Sequence, residues 1–193
     1  MILVSVGSQT PFDRLVKAID EWAGSRGRRD VFAQIGESSL EPANVTWKKF
    51  IPPDEFREKV RTASVIVGHA GMGSIITALE LGKPILVMPR RAALNETRND
   101  HQVATAKRFE AQGRVAVAYD EHELVERLDR LDELSAGERI SSEASPMLLS
   151  ALRTYANRGW MPRNAGAGPG ERFGDGQSAS GDAVGVAGKS ASR

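Results

Sequence analysis

The residues best able to do chemistry lie in two short stretches. Gly68-His69-Ala70-Gly71-Met72-Gly73-Ser74 sets three glycines around one histidine, and Asp100-His101-Gln102 follows about thirty residues later. Small residues let a backbone approach a phosphate closely. The free N–H groups at a helix start favour its charge by about 0.3–1 kcal/mol. Asp accepts hydrogen bonds and Gln both accepts and donates, so the pair can share the hydroxyls of one sugar. Each stretch also has a plainer use: the first as a tight strand-to-helix turn, the second as a helix cap at Asn99 or Asp100.

Two further stretches carry polar capacity. Gly7-Ser8-Gln9-Thr10 is a polar turn leading into a helix start, suited to a phosphate or simply to capping. Arg90, Arg91 and Arg98 fall in a polar run, 89–99. Arginine pairs bidentately with carboxylates, so a uronic acid would find a partner there; a solvated basic loop is the plainer reading. His69 is the only histidine beside the glycine turn. Its expected role is to bind a diphosphate rather than to act as a base.

These residues need elements to position them. Short apolar runs rich in β-branched residues predict strands at 2–6, 31–35, 45–50, 64–67, 85–88 and 115–118. Thr10-Pro11 reads as the cap and first position of a helix carrying Phe12, Leu15, Val16, Ile19 and Trp22 at helical spacing. Further helices are expected at 54–62, 74–81, 101–112 and 121–131, and a final amphipathic one at 146–155. Strand and helix alternate almost throughout, which predicts a doubly wound parallel sheet, a Rossmann-like single α/β domain. Ligands in such folds sit at the carboxyl ends of the strands, where the motifs fall.

Composition bounds the rest. The 193 residues are 40% hydrophobic, enough for one domain with a sizeable core. A formal net charge of +1 gives no reason to expect nucleic acid. The absence of cysteine excludes disulfides, thiolate metal sites and a cysteine nucleophile. No signal peptide or membrane span is expected. Nine of the 19 glycines lie beyond position 158, among serine and alanine. The expected division is therefore a folded domain at 1–157 and a disordered Gly/Ser-rich tail at 158–193.

A dehydrogenase-type dinucleotide site is the obvious competitor. It wants G-x-G-x-x-G, usually after the first strand. Here Ile76 stands at the third glycine and the turn follows the fourth strand.

Taken together, the glycine turn and the Asp-His-Gln triplet resemble the donor-binding, C-terminal half of GT-B glycosyltransferases of the lipid II synthase-like family. The small soluble subunits of two-component transferases of the exopolysaccharide and dolichol pathways are the nearest look-alikes. The resemblance runs from position 1 to about 131, and 67–102 is its specific part. It implies a UDP-sugar donor. Gly7, Ser8 and Gln9 would lie near the diphosphate. Phe50 and Ile51 would frame the uracil. His69, Gly71, Gly73 and Ser74 would hold the diphosphate, and Asp100 and Gln102 the sugar. Many relatives carry a glutamate on the ribose where this chain has Thr77; Glu80 lies three residues on and is the possible substitute.

The resemblance also implies inverting transfer with no cofactor and no metal, the leaving UDP being stabilised by backbone N–H groups. No catalytic residue is assigned in this chain, because the general base is expected on a membrane-anchored acceptor-binding subunit. The acceptor would be a lipid-diphosphate-linked sugar, and the chain a cytoplasmic protein held at the inner face of the membrane by that partner. Helix 146–155 is the expected docking element. Arg90 and Arg91, with the resemblance to exopolysaccharide glucuronosyl pairs, favour glucuronate as the sugar; galactose and GlcNAc stay open. Two other readings stay open: a nucleotide-sugar-binding module that never catalyses, and a UDP-GlcNAc 2-epimerase-like enzyme, which would need a second domain.

Overall fold

The apolar runs alternate in the side they bury, and this alternation fixes the architecture. In β1 (Ile2–Ser5), Ile2 and Val4 pack into one core while Leu3 packs into another. In β4 (Val65–His69), Val65 and Val67 go one way and Ile66 the other; β5 (Ile85–Met88) repeats the pattern. A strand apolar on both faces must be covered on both. The computed structural model describes residues 1–141 and residue 150, and shows a six-stranded sheet of order β3-β2-β1-β4-β5-β6. β2 spans Val31–Gln34, β3 Thr46–Lys48 and β6 Ala116–Val117; every pairing is parallel. This is the expected doubly wound Rossmann-like α/β sheet. Apart from residue 150, the expected helix 146–155 and the tail 158–193 lie outside the described residues, and so does the expected boundary at 157.

On one face, α1 (Asp13–Ser25) and α5 (Glu121–Leu128) pack together. α1 buries Leu15, Val16, Ala18, Ile19, Trp22 and Ala23, the stripe its spacing predicts. Each large apolar side chain so buried contributes about 1.5–3 kcal/mol. The Trp22 Nε1–H donates to Asp129 at 2.9 Å, which ties α1 to the end of α5. On the other face lie α2 (Pro53–Thr62), α3 (Met72–Glu80) and α4 (His101–Ala111), with Val60, Ile75, Leu79 and Ala106 against the sheet.

Several element ends differ from expectation, each for a local reason. α1 starts at Asp13, with no side-chain cap. Thr10 is drawn off to the 89–100 segment, where its hydroxyl meets the Glu96 carbonyl at 3.5 Å. β4 runs on to His69 because β5 continues beside it, pairing His69 with Met88. α3 starts at Met72 rather than position 74, which puts Gly73 and Ser74 inside its first turn. β3 is shorter than expected, ending at Lys48. The 89–100 loop is not open: it holds a 3-10 turn at Ala92–Leu94 closed by Asn95 with φ of 57°.

Candidate functional site

At the carboxyl ends of β1, β4 and β5 lies a cleft of about 590 Å³. This is a size suited to a nucleotide-like ligand. Its walls are the turn after β1, the end of β4 with the first turn of α3, the start of α2, and Arg90, His101 and Gln102. The order reversal of the sheet, with β1 between β2 and β4, opens this crevice.

The glycine turn forms the floor. Gly71 is the N-cap of α3 and, having no side chain, leaves the first-turn N–H groups uncapped where Met72, Gly73 and Ser74 line the cleft. His69 stands between two glycines. A Cβ on Gly71 would come within 2.1 Å of its Nε2, and one on Gly7 within 2.7 Å of its ring. Gly7 also holds a φ of 80°, which glycine tolerates without strain. The His69 Nδ1 lies 3.3 Å from the Ser5 carbonyl oxygen, so Nδ1 must carry the proton and donate. Burial, and then the charge of Arg90, push His69 from its ordinary 6.5 down to about 4, against the pull of the Ser5 bond. The ring is therefore neutral at pH 7, and its Nε2 is a bare acceptor.

The far wall differs from expectation. Gln102 is 6% exposed, and its Oε1 accepts from the Arg90 N–H at 3.2 Å. Its amide –NH₂ is left as the group available to a ligand. Asp100 does not line the cleft. Its carboxylate accepts from the Ala92 N–H at 2.8 Å and closes the 3-10 turn instead. His101, beside it, does line the cleft. Arg90 is 3% exposed; its Nη2 donates to the Val6 carbonyl at 2.8 Å and to that of Thr10. It is neither a solvated loop cation nor a free fork for a sugar carboxylate. Arg91 faces a different hollow, with Nη2 donating to the Tyr119 carbonyl at 2.5 Å.

The remaining predicted residues divide similarly. Gly7, Ser8, Gln9, Ile51 and Thr77 line the cleft, but Phe50 does not and is 45% exposed. The chain is irregular after Lys48, and Ile51 turns into the core while Phe50 turns out. The aromatic ring on the cleft is Phe56, from α2. Thr77 donates its hydroxyl to the Gly73 carbonyl at 2.8 Å, so toward a ribose it can only accept. Glu80 pairs with Arg57 at 3.2 Å and faces another hollow. Ser5, Gln34 and Phe56 went unnoticed in the sequence because nothing in their spacing marks them; strand-end position alone could have flagged Ser5 and Gln34. His101 was part of the triplet but was given no role.

No carboxylate lines the cleft among the described residues; its titratable groups are His69, Arg90 and His101. With the helix start of α3, that makes a site for an anion, held by backbone N–H groups, with polar side chains beyond it for hydroxyls.

Residues 1–148 match the glycosyltransferase family 28 C-terminal domain. The human UDP-N-acetylglucosamine transferase subunit ALG13 (Homo sapiens) is 29% identical over 122 residues, which cover 58% of this chain and 10% of that protein. The chain thus spans about a tenth of the length of this curated relative. The NMR solution structure of ALG13 superposes with a TM-score of 0.51 at 17% identity, over 78% of this chain and 93% of that one. The glycotransferase of kitacinnamycin does so with a TM-score of 0.51 at 22% identity, over 81% of this chain but 39% of that one. These two likenesses speak for the fold. The family match covers more than half of the sequence, and the chain therefore belongs to the glycosyltransferase family 28 C-terminal domain family, the C-terminal half of a GT-B glycosyltransferase.

Proposed function

We propose that the chain is the donor-binding subunit of an inverting, two-component glycosyltransferase that takes its sugar from a UDP-sugar. The observation that carries this reading is the carboxylate-free cleft in which the uncapped start of α3 faces His69. A diphosphate there meets backbone N–H groups and no opposing negative charge. Such groups, fixed before the reaction, stabilise charge as it builds on the departing UDP. Ile51 and Phe56 offer an apolar rim for a base, and Gln102 a donor for a sugar hydroxyl.

The same cleft supports the need for a partner. Inverting transfer requires a base that removes the acceptor proton. Among the described residues no carboxylate lines the cleft for that, and the Nε2 of His69, at about 4, is a weak base. The base and the acceptor site are assigned to a membrane-anchored second subunit, and the acceptor to a lipid-diphosphate-linked sugar. No described helix is long and apolar enough to cross a membrane; the membrane attachment is assigned to the partner. The expectation of glucuronate rested on Arg90 and Arg91 and on the resemblance to exopolysaccharide glucuronosyl pairs; with Arg90 buried and Arg91 turned away, the proposal is carried without it. Exopolysaccharide synthesis is the process we favour, and the folded donor domain is taken to end near 157.

The test is co-expression with the neighbouring reading frame, supplied with labelled UDP-sugars and a lipid-diphosphate acceptor. UDP-N-acetylglucosamine, named for the human relative, heads the donor panel. Transfer by the pair and by neither alone supports the proposal. Binding of UDP-sugar with no transfer under any pairing would favour the second reading, a non-catalytic module; the missing base is the observation behind it. No UDP binding would sink both.

A further inference from the structure

Arg90 is the group in the cleft that the proposed function leaves unexplained. It sits two residues after β5, is 3% exposed, and among the described residues pairs with no carboxylate. Its Nη2 is spent on two backbone carbonyls, its guanidinium lies 5.0 Å from the Phe12 ring centre, and its buried Nε has no hydrogen-bond partner. Arg14, on the same ring at 5.3 Å, is by contrast neutralised by Glu96 at 2.7 Å. A buried cation without a counter-ion is costly to keep. Burial indeed draws Arg90 below its ordinary value, and Glu96 is the group that raises it. The charge is felt at the cradle, since it helps to keep the His69 ring neutral.

We propose that Arg90 is the buried counter-charge of the glycine cradle: its positive charge waits beneath the cleft and is neutralised by the diphosphate of the bound ligand. This rests on the cleft holding a nucleoside diphosphate, as proposed above. It reassigns the cationic role. His69, neutral, contributes shape and an acceptor; Arg90 contributes the charge, acting through a low-dielectric interior rather than through an open fork. The uncapped N–H groups of α3 make the direct hydrogen bonds. The same arrangement makes affinity depend on the ligand's charge and little on which sugar it carries.

The experiment compares UDP, inorganic pyrophosphate and uridine by calorimetry on the full chain, as wild type, Arg90→Met and Arg90→Lys. Methionine keeps an apolar stem on Phe12 and removes the charge; lysine keeps the charge. The expected result is at least a tenfold loss of UDP and pyrophosphate affinity in Arg90→Met, with uridine affinity within about twofold of wild type. Arg90→Lys restores most of the UDP affinity. The His69 ring, followed by NMR, titrates at higher pH in Arg90→Met than in wild type, and near the wild-type value in Arg90→Lys. Equal losses for UDP and uridine, with no rescue by lysine, would mean packing and would overturn the proposal. So would unchanged UDP binding in Arg90→Met. If Arg90→Met does not fold, Arg90→Lys decides: a wild-type preference for UDP over uridine supports the proposal, and a lost preference overturns it. Wild-type protein that binds neither UDP nor pyrophosphate overturns the reading of the cleft itself. Wild-type binding that is indifferent to Arg90→Met overturns only the assignment of Arg90.

Discussion

The two walls of the cleft are built on different principles. The turn from β4 to α3 works through backbone: small residues, an uncapped helix start, and a histidine wedged between Gly7 and Gly71. The segment from β5 to α4 works through side chains that reach across the loop or to other elements. Arg14 of α1 grips Glu96 through Nε at 2.7 Å and Nη2 at 2.9 Å, and Glu96 in turn accepts from the Arg91 N–H at 2.9 Å. Arg14 and Glu96 are 12% and 11% exposed in their side chains, well withdrawn from solvent. Asp100 closes the 3-10 turn, and Gln102 fastens the Arg90 backbone. One wall is preset by local geometry; the other is held by a network that a single substitution can loosen.

The largest expected effect sharpens this contrast through pH. His69 titrates at about 4 when folded and near 6.5 when unfolded. The unfolded chain therefore takes up a proton below about pH 6.5, and the folded chain only near pH 4. Stability falls as pH drops through that window, by an amount on the order of 3 kcal/mol, and levels off beneath it. Chemical denaturation at a series of pH values should show this slope, and His69→Asn should flatten it. Asp129 titrates lower, held at about 2 by Arg26 and then by Trp22, so its loss follows only in stronger acid. A slope unchanged in His69→Asn would mean the ring is not locked in the neutral wall.

Gly71→Ala comes next. The added Cβ strikes His69, and Gly7 on the opposite side restricts its retreat. Overpacking of this kind costs about 1–3 kcal/mol, and UDP affinity should fall at least tenfold when titrated calorimetrically. Full affinity in this variant would mean that the preset wall adapts, and the contrast would fail.

Glu96→Ala addresses the networked wall. It takes from the Arg14 guanidinium its nearest carboxylate, leaving Glu121 at 3.3 Å, and releases the Arg91 N–H, at about 1–3 kcal/mol of stability by thermal unfolding. Its mark on binding should differ in kind: UDP-sugar should weaken relative to UDP, since Gln102 lies on that wall. Equal weakening of both ligands would erase the distinction between the walls.

The smallest effect is expected from Arg91→Ala. Its guanidinium faces Tyr119, away from the cleft. Affinity for UDP-glucuronate and for UDP-glucose should stay within about twofold, and stability within about 0.5 kcal/mol. A selective loss of UDP-glucuronate binding would restore the uronic-acid reading.

By itself, the sequence determined the sheet and the cradle. Ile2, Leu3 and Val4, or Ile85, Leu86 and Val87, are apolar on both faces, and such strands require helices on both sides. Gly71 and Gly73 are small, and a small residue at a helix start carries the same backbone donors whatever surrounds it. What only the tertiary structure decided concerns long or adjacent polar side chains. Arg90 and Arg91 are neighbours of one type, yet one goes beneath the cleft to the Val6 carbonyl and the other to that of Tyr119. Asp100 and Gln102 share a triplet, yet the first is drawn to Ala92 and the second reaches the cleft. Phe50 yields its expected place at the cleft to Phe56 because the chain leaves β3 early, while Ile51 keeps its own. The physical reason is reach. A backbone N–H is placed by its own φ and ψ, but a guanidinium or carboxylate goes to whichever partner the fold brings within hydrogen-bond distance, from eight residues away for Asp100 to 84 for Arg90.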